Sequence, residues 1–447
     1  MYDSLLKLNI PPTSKPRVVI IGGGFGGLNV CKHLPKGKFQ IVLFDKHNYH
    51  TFQPLLYQVA TAGLQPDAIA SPLRNQFKHL DDFYFRLFKI TSVDAAQQMV
   101  YTPAGSLHYD YLVIAAGSVS NYYGNIELSQ HVLPLKSIPD ALNLRSQLMQ
   151  VLELAEMTGN PERRASLLSF VIVGGGPTGV ETSGAMAELR KKVLPKDYPG
   201  INFREMKIYL VEGMGRLLPP MSAKAGASAQ RNLEKMGVEV IVNALVDSYD
   251  GHTLRFKNND PISTDTVIWS AGVTSVKIDG MQETWLEKGR LLTDGFCRVK
   301  GASNIFAIGD IALMKTDNYP KGHPGVAQVA IQMGRFTGKN LWHIHKKERI
   351  RTFKYFDKGT LATIGRGKAV LDLPGKKYMG GRIAWWIWLF VHISYLISFR
   401  NKLMVFASWI WNYFTFDKGN RLIIRPYMRR KNTAPEESVA SRHAATI

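Results

Sequence analysis

Residues 17–27, RVVIIGGGFGG, carry the strongest fold signal in the chain. The first five of these residues form a short β-branched run that stops at glycines, which is typical of a buried parallel strand entering a tight turn. A helix-like stretch continues to about His33, and FQIVLF at 39–44 predicts a second strand that closes on Asp45. Strand, glycine turn, helix and strand in this order predict a βαβ unit.

The glycines of this turn have a spacing with a chemical meaning. Gly22, Gly24 and Gly27 form GxGxxG, which permits a tight turn, close approach of the backbone to a pyrophosphate and close helix packing. The helix N-terminus supplies the anion site. Asp45, 18 residues after Gly27, stands where a carboxylate binds an adenosine ribose. The unit therefore predicts a dinucleotide site.

About 150 residues later the same pattern returns in SFVIVGGGPTG at 169–179, with Gly174, Gly176 and Gly179 in the motif positions. The following strand, KIYLV, ends at Glu212. This repeat predicts a second dinucleotide site and suggests that one nucleotide-binding domain is inserted into the other. Strands near 111–114 and 305–308 would then return the chain to the first sheet.

The two strand-end acids have alternative interpretations. An acid at Glu212 favours NADH over NADPH because it repels a 2′-phosphate, but Arg216 nearby leaves the choice open. Either glycine loop could be only a tight turn, and either acid a solvated carboxylate. The recurrence of the whole pattern in register favours dinucleotide binding.

Composition limits the possible partners and excludes some sites. The chain has 447 residues and a formal net charge of +21, which calls for nucleic acid, acidic lipid or a phosphate-bearing cofactor. Its two cysteines, Cys31 and Cys297, form no CxxC, so a disulfide framework, a zinc site and a local dithiol are unsupported. We predict no metal site. The N-terminus resembles neither a signal nor a transit peptide, so we expect a cytoplasmic protein body.

The C-terminal region is aromatic and basic. Twelve of the thirty-two residues from Trp385 to Phe416 are aromatic, as at a lipid–water interface. The uncharged run between Arg382 and Arg400 has 17 residues, which is marginal for spanning a bilayer, so two helices lying in one leaflet fit better. Alternatively, these helices cover the sheet or form a dimer interface, with the tryptophans as ordinary core.

Several strings together resemble the type II NADH dehydrogenases, single-subunit NADH:quinone oxidoreductases of the two-dinucleotide-binding-domain flavoprotein superfamily. SNIFAIGD at 303–310 is similar to the second FAD motif of that superfamily, and AQVAIQ at 327–332 is similar to its AQxAxQ signature. Glu181 completes GxGxxGxE in the second loop. NYHTFQPLLYQ at 48–58 resembles the stretch that runs along the flavin, although we assign its His50 no catalytic role.

The resemblance implies an α/β fold with two Rossmann-like domains in the glutathione-reductase-like arrangement, one inserted in the other, plus a C-terminal membrane-associating helical segment. The predicted divisions are a lead-in at 1–16, an FAD-binding domain at 17–135 and 290–350, an NADH-binding domain at 136–289, a C-terminal subdomain with amphipathic membrane-anchoring helices at 351–426, and a basic flexible tail at 427–447.

The resemblance also implies site residues, by match to the motifs of the family. For FAD these are Gly22, Gly24, Phe25, Gly26, Gly27, Asp45, Lys46, Ala115, Gly117, Gly309, Asp310, Ala327 and Gln328. For NADH they are Gly174, Gly176, Pro177, Thr178, Gly179, Glu181, Glu212, Ala271 and Gly272. Glu181, Gln328 and Gln332 are the candidate catalytic residues, because the two glutamines lie four apart on one helix face and a neutral amide can donate to a quinone oxygen.

The implied reaction is NADH oxidation by FAD with reduction of a membrane quinone, without proton pumping. The expected partners are that quinone and an anionic lipid surface contacted by residues 376–431, with no nucleic acid and with a homodimer left open. The expected location is the cytoplasmic face of the bacterial inner membrane, as a peripheral protein.

Two rival functions follow from the same residues. A sulfide:quinone oxidoreductase shares the membrane segment but needs a cysteine pair beside the flavin, and neither Cys31 nor Cys297 is at a matching position. A basic flavoprotein acting mainly by binding membrane or nucleic acid would use the +21 charge. Tryptophan-rich apolar helices beside that charge favour lipid.

Overall fold

The computed structural model describes residues 6–375, 377–415 and 419–428. The predicted flexible tail from residue 429 onward lies outside the described residues, as do Lys376 and Phe416.

The first sheet is parallel and five-stranded. Ile21 lies opposite both Phe44 and Ile114 in its register, so the strand ends converge where the first glycine loop begins. The predicted return of the chain to this sheet near 111–114 and 305–308 is confirmed. In spatial order its strands are Ile305–Ala307, Tyr111–Ile114, Arg17–Ile21, Gln40–Asp45 and Phe83–Leu87.

The second sheet repeats this architecture and corrects one predicted domain boundary. In spatial order its strands are Leu133–Pro134, Thr266–Trp269, Ser169–Val173, Lys207–Val211 and Glu239–Ile241. Leu133 pairs with Ile268, so the second domain begins before the predicted residue 136. A two-residue strand is too short to show a periodic pattern, which is why sequence reasoning missed it.

The return to the first domain also differs from the predicted boundary at residue 290. The strand Arg290–Thr293 pairs with two neighbours. It lies antiparallel to Leu286–Glu287 and parallel to Ala312–Met314. The predicted boundary therefore divides a hairpin. The chain crosses between the domains through Ser118–Ser120 and Val273–Ser275, which pair with each other.

The helices, in chain order, are α1 Phe25–His33, α2 Leu56–Ala60, α3 Leu73–Phe77, α4 Ile126–His131, α5 Ile138–Met157, α6 Pro161–Leu167, α7 Pro177–Lys192, α8 Leu194–Asp197, α9 Ala223–Lys235, α10 Ala327–His345, α11 Gly381–Tyr395 and α12 Phe399–Thr415. Single 3₁₀ turns occupy Gln53–Leu55, Pro66–Ala68, Glu283–Trp285 and Gly309–Ile311.

Smaller antiparallel sheets complete the fold. They comprise Tyr49–Thr51 with Ala70–Pro72; Ser92–Asp94 with Met99–Thr102 and Gly105–His108; Val246–Tyr249 with Thr253–Phe256 and Ile262–Ser263; and Thr360–Gly365 with Lys368–Leu373 and Lys377–Gly380.

The C-terminal helices α11 and α12, here called the foot, are two separate helices. α11 ends at Tyr395 because Leu396 is extended, so the uncharged run is interrupted. No helix in the described part of the chain is long and apolar enough to cross a membrane. Trp388 is 3% exposed in the core whereas Trp386 is 60% exposed. The foot therefore covers the body with one face and presents large apolar side chains on the other.

Candidate functional site

The first glycine loop has a geometry that only glycine allows. Gly22 has φ +103°, and a Cβ there would lie 2.4 Å from the Ala115 carbonyl oxygen. A Cβ at Gly27 would lie 1.9 Å from the Gly22 carbonyl oxygen. At Gly24, by contrast, a Cβ would meet no protein atom within 4 Å, which is the approach that a pyrophosphate needs.

Asp45 is fixed against this loop. Its carboxylate accepts hydrogen bonds from the backbone N–H of Gly23 at 2.6 Å and of His47 at 2.7 Å. Burial raises the pKa of Asp45, and these donors lower it. Because both oxygens are held, the carboxylate is oriented for a ribose diol. The neighbouring Lys46 is exposed.

The opposite wall of the first site comes from distant segments. Asp310 accepts a hydrogen bond from Ser118 Oγ at 2.5 Å, and Lys136 Nζ lies 3.9 Å from the same carboxylate oxygen. Arg290 donates to the Asp310 carbonyl oxygen at 2.9 Å. Burial lowers the pKa of Lys136, while Asp310 raises it. Gly117, with φ +71°, has no atom within 4 Å of where its Cβ would lie.

Helix α10 completes this wall by packing against α1. A Cβ at Gly334 would lie 2.3 Å from the Gly26 carbonyl oxygen, and one at Gly338 would lie 2.7 Å from the Val30 carbonyl oxygen. The two helix backbones therefore lie in direct contact. This contact brings Ala327 and the N-terminus of α10, which has no side-chain cap, to the side of the first glycine loop.

These residues fit FAD. The buried His50 places Nδ1 3.0 Å from the Gly23 carbonyl oxygen, while its Nε2 has no hydrogen-bond partner among the described residues. Burial lowers the pKa of His50 to about 4, so the ring is neutral and Nε2 is an acceptor. An orphaned buried nitrogen beside a glycine cradle is what a bound polar cofactor would satisfy.

The second glycine loop repeats the first almost atom for atom. Gly174 has φ +110°, and a Cβ there would lie 2.7 Å from the Ala271 nitrogen. A Cβ at Gly179 would lie 1.9 Å from the Gly174 carbonyl oxygen, and one at Gly176 would meet nothing within 4 Å. Pro177 and Thr178 begin α7, whose N-terminus thus faces the site. At the rim, Gly272 has φ +80° and is exposed.

Glu212 is held as Asp45 is. It accepts hydrogen bonds from the backbone N–H of Gly175 at 2.6 Å and of Met214 at 2.7 Å. Arg216 instead donates to the carbonyl oxygens of Leu218 and Pro219, at 3.3 and 2.7 Å. The guanidinium that left the nucleotide preference open is therefore held by carbonyl oxygens two and three residues further along the chain.

Glu181 lies in the first turns of α7 and is only 7% exposed. Its carboxyl accepts a hydrogen bond from the Thr363 N–H at 3.3 Å. Burial raises the pKa of Glu181 to about 8, against smaller lowering contributions from Thr363 and the Trp388 indole. Burial, and secondarily Glu181, also raises the pKa of Tyr57. At neutral pH Glu181 is therefore mainly a neutral acid.

The two candidate glutamines have partners within the protein. Gln328 and Gln332 are bound through both amide ends to the backbone of residues 356–359. The structure thus gives them a positional task. A direct hydrogen bond to a quinone stays a prediction.

Sequence reasoning missed several residues that the fold brings to these sites. Their proximity arises from tertiary contacts, and only Ser118, which directly follows the predicted FAD residue Gly117, had a local signal. They are Ser118, Lys136, Arg290, Thr363 and Trp388. His50 and Tyr57 also lie at these sites, and both belong to the string at 48–58 that resembles the flavin stretch.

Both cysteines are buried, and burial raises the pKa of each thiol, that of Cys297 to about 12. Neither is set up as a thiolate, which a dithiol or sulfide mechanism requires.

Two family models match the chain. The pyridine nucleotide-disulphide oxidoreductase model matches residues 16–334, and the NDH2 C-terminal domain model matches residues 358–416. The division between the two matches lies just after the AQVAIQ string.

Curated relatives match over nearly the whole chain. The type II NADH:quinone oxidoreductase Ndh of Mycobacterium tuberculosis is 37% identical over 433 residues, covering 92% of each chain. The external alternative NAD(P)H-ubiquinone oxidoreductase B1 of Solanum tuberosum mitochondria is 25% identical, covering 92% of this chain and 91% of the relative.

Solved structures share the fold. NDH2 of Plasmodium falciparum in complex with NADH has a TM-score of 0.85 at 24% identity and covers 92% of this chain and 100% of that one. The sulfide:quinone oxidoreductase of Aquifex aeolicus has a lower TM-score of 0.67 at 16% identity, covering 89% of this chain and 95% of that one.

Proposed function

Because the chain belongs to the family of type II NADH:quinone oxidoreductases, we propose that its twin glycine loops divide the reaction between them, the first holding FAD and the second NADH. The protein oxidises NADH and reduces a quinone, with FAD as its cofactor. The pair of carboxylates, Asp45 and Glu212, each held by its own loop N–H, supports two dinucleotide sites. The observation that carries the division of labour is the buried His50 beside the first loop, whose Nε2 has no partner among the described residues.

FAD, when bound, accepts a hydride from NADH and passes two electrons to the quinone. In the second loop, Glu212 binds the adenosine ribose diol while the N–H groups at the start of α7 bind the pyrophosphate. In the first site, Asp45 has the matching role and Asp310, backed by Ser118 and Lys136, anchors the opposite end. These contacts would hold each dinucleotide at its own glycine loop by the pyrophosphate and the adenosine ribose.

Glu181 supplies a proton-holding group. The overall reaction, NADH plus a proton plus quinone giving NAD⁺ and quinol, takes up one proton from solution. A buried carboxyl with a pKa of about 8 holds that proton at neutral pH and can release it to a reduced quinone oxygen. Thr363 N–H then stabilises the carboxylate until it is reprotonated.

The division of labour is tested by anaerobic mixing of the yellow holoprotein with NADH or NADPH, and then with a short-chain ubiquinone, while the flavin absorbance is followed. We expect NADH to bleach the flavin faster than NADPH and quinone to restore it. Equal bleaching by both nucleotides would contradict the role of Glu212. No bleaching by either would contradict the assignment of the second loop.

We propose that residues 376–431 contact anionic lipid through the outer face of the foot. This contact would place the protein peripherally on the cytoplasmic face of the bacterial inner membrane. Among the basic side chains of the foot, Arg382 is exposed and Lys402 is half-buried, while the exposed Arg400 also pairs with Asp67 at 3.1 Å. The large exposed apolar side chains of the outer face are Ile383, Trp386, Phe390, Phe399, Leu403, Phe406, Ile410, Trp411 and Phe414. Basic and aromatic residues together suit a lipid interface.

Flotation with vesicles tests this surface. Phe399→Ser combined with Phe414→Ser should release the protein from anionic vesicles, because each aromatic buried in lipid contributes about 1.5–3 kcal/mol. Met157→Ser, at a 73% exposed position on α5, is the matched control. If the double variant still floats, this face does not carry the lipid contact. If wild-type protein sediments as a dimer that the variant dissociates, the face is a subunit interface instead.

A further inference from the structure

The segment 356–359 is held by side chains from α10. Gln332 Nε2 donates to the Phe356 carbonyl oxygen at 2.8 Å, and its Oε1 accepts from the Phe356 N–H at 2.9 Å. One turn earlier, Gln328 Nε2 donates to the Gly359 carbonyl oxygen at 3.0 Å, and its Oε1 accepts from the Lys358 N–H at 3.2 Å. Each glutamine thus acts as a neighbouring strand would.

The two glutamines clamp a segment that belongs to no strand in the described part of the chain, and the strand Thr360–Gly365 begins directly after it. Backbone N–H and C=O groups need partners, and here the two glutamine amides provide them. The conformation of residues 356–359 therefore depends on Gln328 and Gln332.

The clamp determines which side chain faces outward. Tyr355 turns inward, where its ring lies 5.5 Å from that of His323 and 5.6 Å from that of Tyr319. Phe356, the next residue, is 70% exposed. An extended segment alternates its side chains, so fixing the Phe356 backbone also fixes this outward direction.

Phe356 lies beside α10 and close in sequence to a contact with the foot. Lys358 Nζ donates to the Tyr395 hydroxyl at 2.8 Å and lies 5.5 Å from the centre of its ring, and Tyr395 is the last residue of α11. On the other side, Gln328 follows Ala327 at the N-terminus of α10. The phenyl ring is thus an exposed apolar group beside the first turns of α10 and two residues from the contact with the end of α11.

We propose that Phe356 contacts the isoprenoid tail of the quinone and that Gln332 is a positioning residue which holds it there. This inference rests on the function proposed above. A membrane quinone has a polar ring and a long apolar tail, so a fixed phenyl ring at the border of the foot suits the tail. The Gln332 amide bonds both the N–H and the C=O of Phe356, which argues that this residue acts through the phenylalanine.

The test compares two acceptors on the detergent-solubilised holoprotein: a tailless benzoquinone and a ubiquinone with several isoprene units. Phe356→Ser should raise KM for the tailed quinone roughly fivefold or more, as expected for loss of one aromatic contact, and change KM for the tailless one less than twofold. Its flavin reduction by NADH should match that of wild type. Met157→Ser, which removes an equally exposed apolar side chain elsewhere, should change neither KM.

Gln332→Leu should likewise raise KM for the tailed quinone and leave KM for the tailless one nearly unchanged. In the double variant it should add little to Phe356→Ser, because both changes remove the same contact with the tail. Equal loss with both quinones in Gln332→Leu would overturn the positioning role and make the amide a ligand of the quinone ring. An unchanged KM for the tailed quinone in Phe356→Ser would overturn the tail contact. If wild-type protein reduced neither acceptor, the proposed function would fail instead.

Discussion

The two glycine loops are alike within their own segments and differ in what lies behind their helices. A Cβ at Gly27 or at Gly179 would meet the same carbonyl oxygen of its loop at the same 1.9 Å. Behind α1 lies another helix, α10. Behind α7 lies a strand, where a Cβ at Gly184 would come within 1.7 Å of the Ile364 carbonyl oxygen.

The matched position two residues after the last loop glycine shows what this difference does. In α1 it is Asn29, which donates to the Phe25 carbonyl oxygen within its own helix. In α7 it is Glu181, which is buried against Thr363 of the C-terminal sheet. A glycine loop thus provides a dinucleotide cradle, and the element packed behind its helix decides whether a chemically useful group is buried there.

The largest expected effect comes from closing each cradle in turn. Gly27→Ala and Gly179→Ala each place a methyl group against backbone, and overpacking of this kind costs about 1–3 kcal/mol. We expect Gly27→Ala to lose its flavin during gel filtration, whereas Gly179→Ala stays yellow but is not bleached by NADH. Flavin absorbance relative to protein absorbance measures the first, and anaerobic titration the second.

Gly159→Ala is the control for the previous pair, because a Cβ there would meet no atom within 4 Å. Loss of flavin from Gly179→Ala would show that the two cradles do not work separately.

A smaller effect is expected from the strand-end carboxylates. Glu212→Gln removes the charge that repels a 2′-phosphate, so the preference for NADH over NADPH should fall by about 10–100-fold, as for a charged hydrogen-bonding group. Asp45→Asn should instead weaken flavin retention and leave that preference as it is. The measurement is the ratio of kcat/KM for NADH to kcat/KM for NADPH. An unchanged ratio in Glu212→Gln would mean that other residues determine the selectivity.

The last comparison distinguishes Glu181 from Asn29 by pH. The folded pKa of about 8 lies above the ordinary value for glutamate, about 4.3, so between these values the folded state binds more protons than the unfolded state. Stability should therefore fall as pH rises through this window, by at most about 1.4 kcal/mol per unit. The glutamine in Glu181→Gln cannot titrate. The Tm of this variant minus that of wild type should therefore increase as the pH rises towards 8.

Asn29→Ala is the matched control, because it changes no titrating group and its Tm difference from wild type should not vary with pH. Parallel Tm curves for wild type and Glu181→Gln would mean that Glu181 is ionised throughout the range.

The foot has features that its local sequence does not predict. The aromatic content predicted helices at an interface, but the uncharged run between Arg382 and Arg400 contains the break after Tyr395. The positions of Trp386 and Trp388 on opposite faces depend on which side of α11 meets the body. Neighbouring tryptophans in a run of apolar residues carry no sign of this.

The sequence alone determined the two strand–loop–helix–strand units and the positions of Asp45 and Glu212, because these depend on contacts within short segments. The tertiary structure alone decided the domain boundary before Leu133, the burial of Glu181 and the partners of Gln328 and Gln332. Each of these results from packing between segments far apart in the chain. The local pattern is the same whether a glutamate is solvated or buried, and whether an amide faces a ligand or a backbone.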